Sequence, residues 1–219
     1  LTFHGGEPLL AGIAWYEALL PEIVARFGRR IRLSIQSNLH AMTDEYAELF
    51  RKYQLSVGTS VDGTEDICNV QRGENYYTKT KAGEAILQAH RIRAGEICTF
   101  DARHAHRAAE VFRAADAPYS IHGAIPALGF PPAPFSATPI DMTRIFYDSY
   151  NAYRADPAHC RISTIDAMAK GVFREKGTVC TFFDCLGVFA AIDPGGAIYS
   201  CQRFAGNPAY ALGNVNDDP

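Results

Sequence analysis

From residue 1 to about 125 the chain repeats one pattern: a short β-type run, a turn-rich stretch, then an amphipathic helix. Strands and helices in strict alternation build parallel βα units, and this constrains the fold more than any other feature. Residues 1–4 read as a strand fragment, and the helix at 15–27 repeats Trp15, Leu19, Ile23 and Phe27 at spacing four before Gly28 ends it. Further strands are expected at 31–37, 55–60, 96–100 and 119–125, and further helices at 44–53, 78–91 and 105–115, the first of these with Thr43 as N-cap. Five strands and four helices are thus expected in an α/β architecture.

The proline-rich stretch 126–139 reads as a loop or linker. Thr138-Pro139 then supplies an N-cap and an N1 proline for a helix to about residue 154, and another helix follows at 163–175. Asp193-Pro194-Gly195-Gly196 is turn chemistry between two short β runs, 189–192 and 197–200. The expected division is 1–125, 126–175 and 176–219.

Ligand-binding residues of parallel α/β folds gather at the carboxyl ends of the strands. That rule selects His4-Gly5-Gly6-Glu7, Gln36-Ser37-Asn38, Ser60-Val61-Asp62-Gly63, Asp101 and the residues after Ile125. Two glycines at a strand end let backbone groups approach a ligand, and Glu7 beside them would accept hydrogen bonds from an amino-acid ammonium. They equally suit a tight βα turn with a carboxylate at a helix start. Arg72, ten residues after Asp62, would clamp a carboxylate in two-pronged fashion or stand on the surface.

The 219 residues, 47% hydrophobic and 21% charged, are enough for a substantial core. A formal charge of -3 gives no reason to expect nucleic acid or an anionic membrane as partner. The absence of an apolar run of bilayer length or of a signal peptide makes the cytoplasm the expected location. Leu1 opens on a strand-like run and Asn216-Asp217-Asp218-Pro219 follow a structured segment, so both ends read as cuts in a longer chain.

Cys180-x4-Cys185-x15-Cys201 is the sharpest chemical signal among the six cysteines, since soft thiolates around a hairpin suit an iron–sulfur cluster, zinc or copper(I). A fourth ligand would come from Cys160, Cys68, Cys98 or beyond Pro219; a disulfide plus a buried thiol is the alternative. Cys68 and Cys98 otherwise read as apolar fillers. The histidines offer no metal-type pair: His4 and His122 lie near the strand ends, while His90, His104 and His106 are expected on surfaces. There is no nucleophile elbow and no phosphate-binding glycine fingerprint.

Taken in order, these segments resemble a known family. Phe3-His4-Gly5-Gly6-Glu7-Pro8-Leu9-Leu10 resembles the GGEP segment of radical S-adenosylmethionine (SAM) enzymes, Ser34-Ile35-Gln36-Ser37-Asn38 their QTN segment and Ser60-Val61-Asp62-Gly63 their SxDG segment, with Gln71-Arg72-Gly73 at the family's arginine. Residues 180–213 resemble the opening of a SPASM domain: two cysteines, a hairpin carrying Gly196 to Cys201, and Leu212-Gly213-Asn214. The nearest pattern is the anaerobic sulfatase-maturating type and its peptide-modifying relatives.

The resemblance implies a partial (βα)6 radical SAM barrel lacking its first strand, then the start of a SPASM auxiliary-cluster domain. It implies that Gly5, Gly6 and Glu7 orient the methionine ammonium of SAM, that Ser60 and Arg72 hold its carboxylate, and that Gln36, Ser37 and Asn38 line the mouth. It also implies that Cys180, Cys185 and Cys201 ligate an auxiliary [4Fe-4S] cluster. SAM, cleaved by an electron from the catalytic cluster, would yield a 5′-deoxyadenosyl radical that abstracts hydrogen from a peptide or protein substrate, with flavodoxin or ferredoxin as electron donor. The family's CxxxCxxC loop is not in this sequence, so the fragment would be inactive alone. Gln202 stands where sulfatase-maturating enzymes carry an aspartate base, which favours a thioether or carbon–carbon cross-link over formylglycine. Competing readings are a zinc-stabilised α/β binding module without radical chemistry and a different βα-barrel enzyme such as a metal hydrolase.

Overall fold

The computed structural model describes residues 1–125, 131–177, 179 and 187–217. Five parallel strands form one sheet in sequence order: β1 (Thr2–Phe3), β2 (Ser34–Gln36), β3 (Ser56–Ser60), β4 (Ala94–Phe100) and β5 (Tyr119–Gly123). With right-handed crossovers, this order sends every connection over the same face of the sheet. The connecting helices are α1 (Ile13–Phe27), α2 (Asp44–Tyr53), α3 (Glu65–Arg72), α4 (Tyr76–Ala89) and α5 (Ala108–Ala114), followed by α6 (Pro139–Ala155) and α7 (Ser163–Arg174). A second, antiparallel sheet joins β6 (Ala191–Ile192), β7 (Ala197–Tyr199) and β8 (Gly213–Asn214).

Two apolar clusters hold the helices on the sheet. Tyr16, Leu20, Tyr46 and Phe50 from α1 and α2 close over Ile35 and Val57, while Val111, Phe112 and Ile145 from α5 and α6 close over Cys98, Phe100 and Ile121. The chain then caps the β5 edge: Tyr119 N donates to Arg161 O (3.1 Å) and Ile121 N to Thr164 Oγ1 (2.9 Å), which satisfies backbone groups that an open edge would expose. Local signals work as expected at α2, where Thr43 accepts from Tyr46 N, and at α6, where Thr138 and Asp141 form a capping box. Among the described residues no helix is long and apolar enough to cross a membrane.

Some expectations need correcting. α3 was not foreseen, and the helix expected at 105–115 is a 3-10 turn, Ala105–Arg107, followed by α5. The strand expected at 31–37 is confined to Ser34–Gln36. Helix α1 buries Tyr16, Leu20 and Ile23, leaving Trp15 45% and Phe27 42% exposed. Tyr16 prevails because its ring meets Phe3, Tyr46 and Phe50 edge-on and its hydroxyl reaches the carbonyl of Pro8.

The opposite face of the sheet is different in kind. Strands buried on both faces read as continuous apolar runs, but these alternate. Ile35, Val57, Cys98, Phe100 and Ile121 are buried under helices, whereas Ser34, Gln36, Ser60, Thr99, Ser120 and His122 point the other way and remain partly or fully exposed. Polar residues on four adjacent strands give that face donors and acceptors suited to a polar ligand.

Candidate functional site

The loop after β1 is shaped by its glycines. Gly5 has φ +90° and Gly6 φ +53°, values that side chains other than glycine's rarely adopt, and the space where a Cβ would project is empty to 4 Å at both. Beyond them the loop is tied down. The Tyr16 and Tyr46 hydroxyls donate to the carbonyls of Pro8 (3.0 Å) and Leu9 (2.7 Å), and burial, reinforced by Tyr46 and Glu7, pushes the Tyr16 phenol up to about 12. Glu7 bridges two strand ends: one carboxylate oxygen accepts from Leu9 N (3.0 Å) and Ser37 Oγ (2.7 Å), the other from Asn38 N (2.8 Å).

At the β2 end, buried Ser37 accepts from Leu39 N (2.9 Å), and the Asn38 carboxamide oxygen accepts from His40 N (2.9 Å). Leu39 is held buried with φ +63°, a strained conformation for a leucine that the surrounding contacts must enforce. Helix α4 supplies those contacts. Thr80 donates to the Asn38 carbonyl (3.1 Å), and Gly83 lies so close that an added Cβ would stand 2.4 Å from Leu39 O. A Gly83→Ala change is therefore expected to lower stability by about 1–3 kcal/mol in urea unfolding; an unchanged midpoint would contradict this packing.

The β3 end meets β2 and α3. Gln36 Nε2 donates to Ser60 Oγ (3.3 Å), and Gly58 makes room for it, since a Cβ there would lie 2.1 Å from the Gln36 amide oxygen. Arg72, the last residue of α3, grips Asp62 in two-pronged fashion and donates to Thr99 Oγ1 (3.4 Å). Its guanidinium stands 5.3 Å from the Tyr76 ring centre. Burial works against its charge, but the Asp62 carboxylate more than offsets this and holds the guanidinium's pKa above its ordinary value. Asp62 also accepts from Thr99 N (2.9 Å), so one buried carboxylate fixes both α3 and β4.

Beyond β4 a second polar knot adjoins the first. Gln71 Nε2 donates to the Thr99 carbonyl (2.9 Å) and its carboxamide oxygen accepts from Asp101 N (3.2 Å). Asp101 takes Arg103 and His104 Nδ1 (3.0 Å), so His104, expected on the surface, is buried as the partner of a buried carboxylate. His90, also expected on the surface, meets Asp44 there. The His122 ring has no side-chain hydrogen-bond partner among the described residues, and partial desolvation by its neighbours lowers its pKa.

Sequence spacing singled out the glycines, Glu7, Gln36, Ser37, Asn38, Ser60 and Arg72 and placed Asp62 at a strand end, but did not reveal the hydrogen bonds by which Glu7 and Asp62 lock the others in place.

Cys180 and Cys185 lie outside the described residues. Cys201 is half-buried and accepts a hydrogen bond from Arg203 N (3.5 Å) at the start of a short 3-10 turn, Gln202–Phe204. Cys68, Cys98 and Cys160 are buried, and burial raises all three thiols. Among the described residues no group of three His, Cys, Asp or Glu side chains is arranged to hold a metal ion. The hairpin and β8 interlock closely: Asn214 Nδ2 donates to Gly195 O (2.9 Å), and Gly196 has φ +83° with Asn214 Oδ1 only 2.8 Å from where its Cβ would be.

No family model matches the sequence. An uncharacterised protein of Methanothermobacter thermautotrophicus is 34% identical over 181 residues, 80% of this chain and 69% of that protein. The serine-type anaerobic sulfatase-maturating enzyme of Bacteroides thetaiotaomicron is 26% identical over 98% of this chain, and the cysteine-type enzyme of Clostridium perfringens is 20% identical over 99%. The chain is thus similar over almost its whole length to radical SAM enzymes of the anaerobic sulfatase-maturating type. It spans 58% and 62% of the length of those two sulfatase-maturating relatives. Among solved structures, native anSMEcpe with bound AdoMet superposes with TM-score 0.85 at 19% identity, covering 99% of this chain and 64% of that one. Native anSMEcpe with bound AdoMet and Cp18Cys peptide gives 0.82 over the same shares. That likeness establishes a shared fold, with the parallel five-stranded sheet at its centre. In this chain the polar knot joins the ends of β1, β2 and β3 to α3 and α4.

Proposed function

We propose that the strand ends of β1, β2 and β3 bind SAM, and that the protein uses it to abstract hydrogen from a peptide or protein during post-translational modification. The observation that carries this reading is the continuity of the knot. Glu7 ties the glycine turn to Ser37 and Asn38, Gln36 ties β2 to Ser60, and Asp62 fixes Arg72 beside Thr99. One cationic fork, one hydroxyl and an open glycine turn therefore share one end of a polar sheet face, a donor and acceptor set that suits an α-amino acid head group.

Arg72 and Ser60 would hold the methionine carboxylate, with the guanidinium already oriented by Asp62. The Gly5–Gly6 backbone would face the ammonium, while Glu7, with three hydrogen bonds of its own, keeps the loop in shape. Gln36, Ser37 and Asn38 would line the mouth. Bound there and reduced by one electron, SAM would supply a hydrogen-abstracting radical; the rest of the task is positioning and exclusion of water.

The single-direction winding of the sheet supports a partial (βα)6 barrel over 1–125, with 126–175 as linker and helices and 176–219 as the beginning of a SPASM domain. In that domain Cys180, Cys185 and Cys201 would ligate an auxiliary [4Fe-4S] cluster, and the half-buried Cys201 sulfur, already accepting a backbone N–H, fits a thiolate ligand. The catalytic cluster would rest on thiolates that this sequence does not contain. Flavodoxin or ferredoxin would deliver the electron. Gln202 cannot act as a base, which supports a cross-link over formylglycine as the product.

The test is calorimetric titration of SAM into the full-length protein after anaerobic reconstitution. Arg72→Lys should weaken binding at least tenfold, about 1.4 kcal/mol, because a lysine cannot reproduce the fork held by Asp62. Equal affinities, or tightly bound zinc with no SAM binding, would overturn the proposal.

A further inference from the structure

Behind the knot, on the helix-covered face, one ammonium group serves three carboxylates. Lys81 of α4 lies 2.7 Å from Glu96 of β4, 3.0 Å from Glu84 one turn along α4, and 3.0 Å from Asp116 in the turn after α5. Glu84 and Glu96 are buried while Asp116 is exposed. With all three ionised, the cluster would carry two uncompensated negative charges partly withdrawn from water, which a low-polarity environment resists.

Its position links it to the site. A cavity of about 10 Å³, close to the size that admits a single water, is bounded by Lys81, Glu96 and Asp116 and also by Val61 and Gly63, the two neighbours of Asp62. The helix that Lys81 anchors is the one whose Tyr76 ring backs Arg72, whose Thr80 holds the Asn38 carbonyl and whose Gly83 presses on Leu39.

We propose that the Lys81–Glu84–Glu96–Asp116 cluster is a pH-sensitive latch on α4, firm in mildly acid solution and looser above neutrality, which thereby sets the affinity of the adjoining site. The ionisable groups facing Glu96 are Lys81, Glu84 and Tyr77 from α4, Asp116 from the turn after α5, Tyr119 from β5, Cys98 on its own strand, and the buried thiols Cys68 of α3 and Cys160 after α6. Burial is the largest influence on Glu96 and raises it, Lys81 lowers it, and Glu84 and Asp116 raise it again, leaving it near 7 instead of 4.5. A carboxyl raised in the docked state favours docking fully below pH 4.5, and that contribution is lost as pH climbs through 7.

The latch itself is independent of which ligand binds, but its affinity readout rests on the SAM reading above. Two measurements on the full-length protein separate them. Titrated with SAM between pH 5.5 and 7.5, the wild type should lose affinity about fivefold more than Glu96→Gln, in which the titrating proton is gone. Hydrogen exchange of the α4 amides, corrected for intrinsic rates, should accelerate over the same interval in the wild type and stay level in the variant. Glu84→Gln serves in the same way if Glu96→Gln does not fold. Parallel pH dependences in wild type and variant, in either measurement, would overturn the latch. If SAM binds neither protein at any pH, the SAM reading fails, and exchange alone decides the latch.

Discussion

Replacing Asp62 with alanine is expected to destabilise the protein by about 3–5 kcal/mol, the range for breaking one side of a buried ion pair. The Asp62 side chain is 1% exposed and that of Arg72 25%, so little water is at hand to replace what is lost. The change would strand the guanidinium against Tyr76 and leave Thr99 N without its acceptor. Because α3 ends at Arg72 and β4 carries Thr99, the damage would reach both walls of the site. Chemical unfolding measures it, and Asp62→Asn separates its parts: the carboxamide can keep the Thr99 bond while losing the charge. A loss under 1 kcal/mol for the alanine variant would show that the pair does not hold the fold together.

Glu7→Gln should have the next largest effect. Its carboxylate accepts from Leu9 N, Ser37 Oγ and Asn38 N across two strand ends. In glutamine one oxygen becomes an NH₂ group, which sets donor against donor at Leu9 or at Asn38. Leaving such a group unsatisfied costs about 1–3 kcal/mol. The glycine turn and the β2 loop would then lose their common anchor, so SAM affinity should fall tenfold or more, a change calorimetry resolves. Wild-type affinity in a destabilised variant would separate the anchor from the ligand site.

Much of this architecture was legible because it is local. The βα alternation, the Thr43 and Thr138 caps and the Gly195–Gly196 turn each depend on a few neighbouring residues, and each appears where spacing placed it. Helix α3 escaped notice because only Ile67 and Cys68 of its eight residues are buried, too few to establish a helical period. In α1 two adjacent apolar stripes compete, and the choice of Tyr16 over Trp15 is made by Pro8, Tyr46 and Phe50, which spacing within the helix cannot see.

The site divided along the same line. Glycines at strand ends and an arginine ten residues past an aspartate are visible as residue types. Glu7 could be read as a ligand or as a helix-start carboxylate, yet its partners Ser37 and Asn38 lie 30 and 31 positions away. The polar alternation of β2 to β5 did stand in the sequence, as Ser34, Gln36, Ser60, Thr99, Ser120 and His122 between apolar neighbours. Reading it as one continuous polar sheet face needed the strand order.

A crystal structure of the full-length protein with SAM tests the central claim most directly. The methionine carboxylate should lie within hydrogen-bond distance of both Ser60 and Arg72, and the ammonium against the Gly5–Gly6 backbone. SAM bound with its methionine end away from all three would contradict the account.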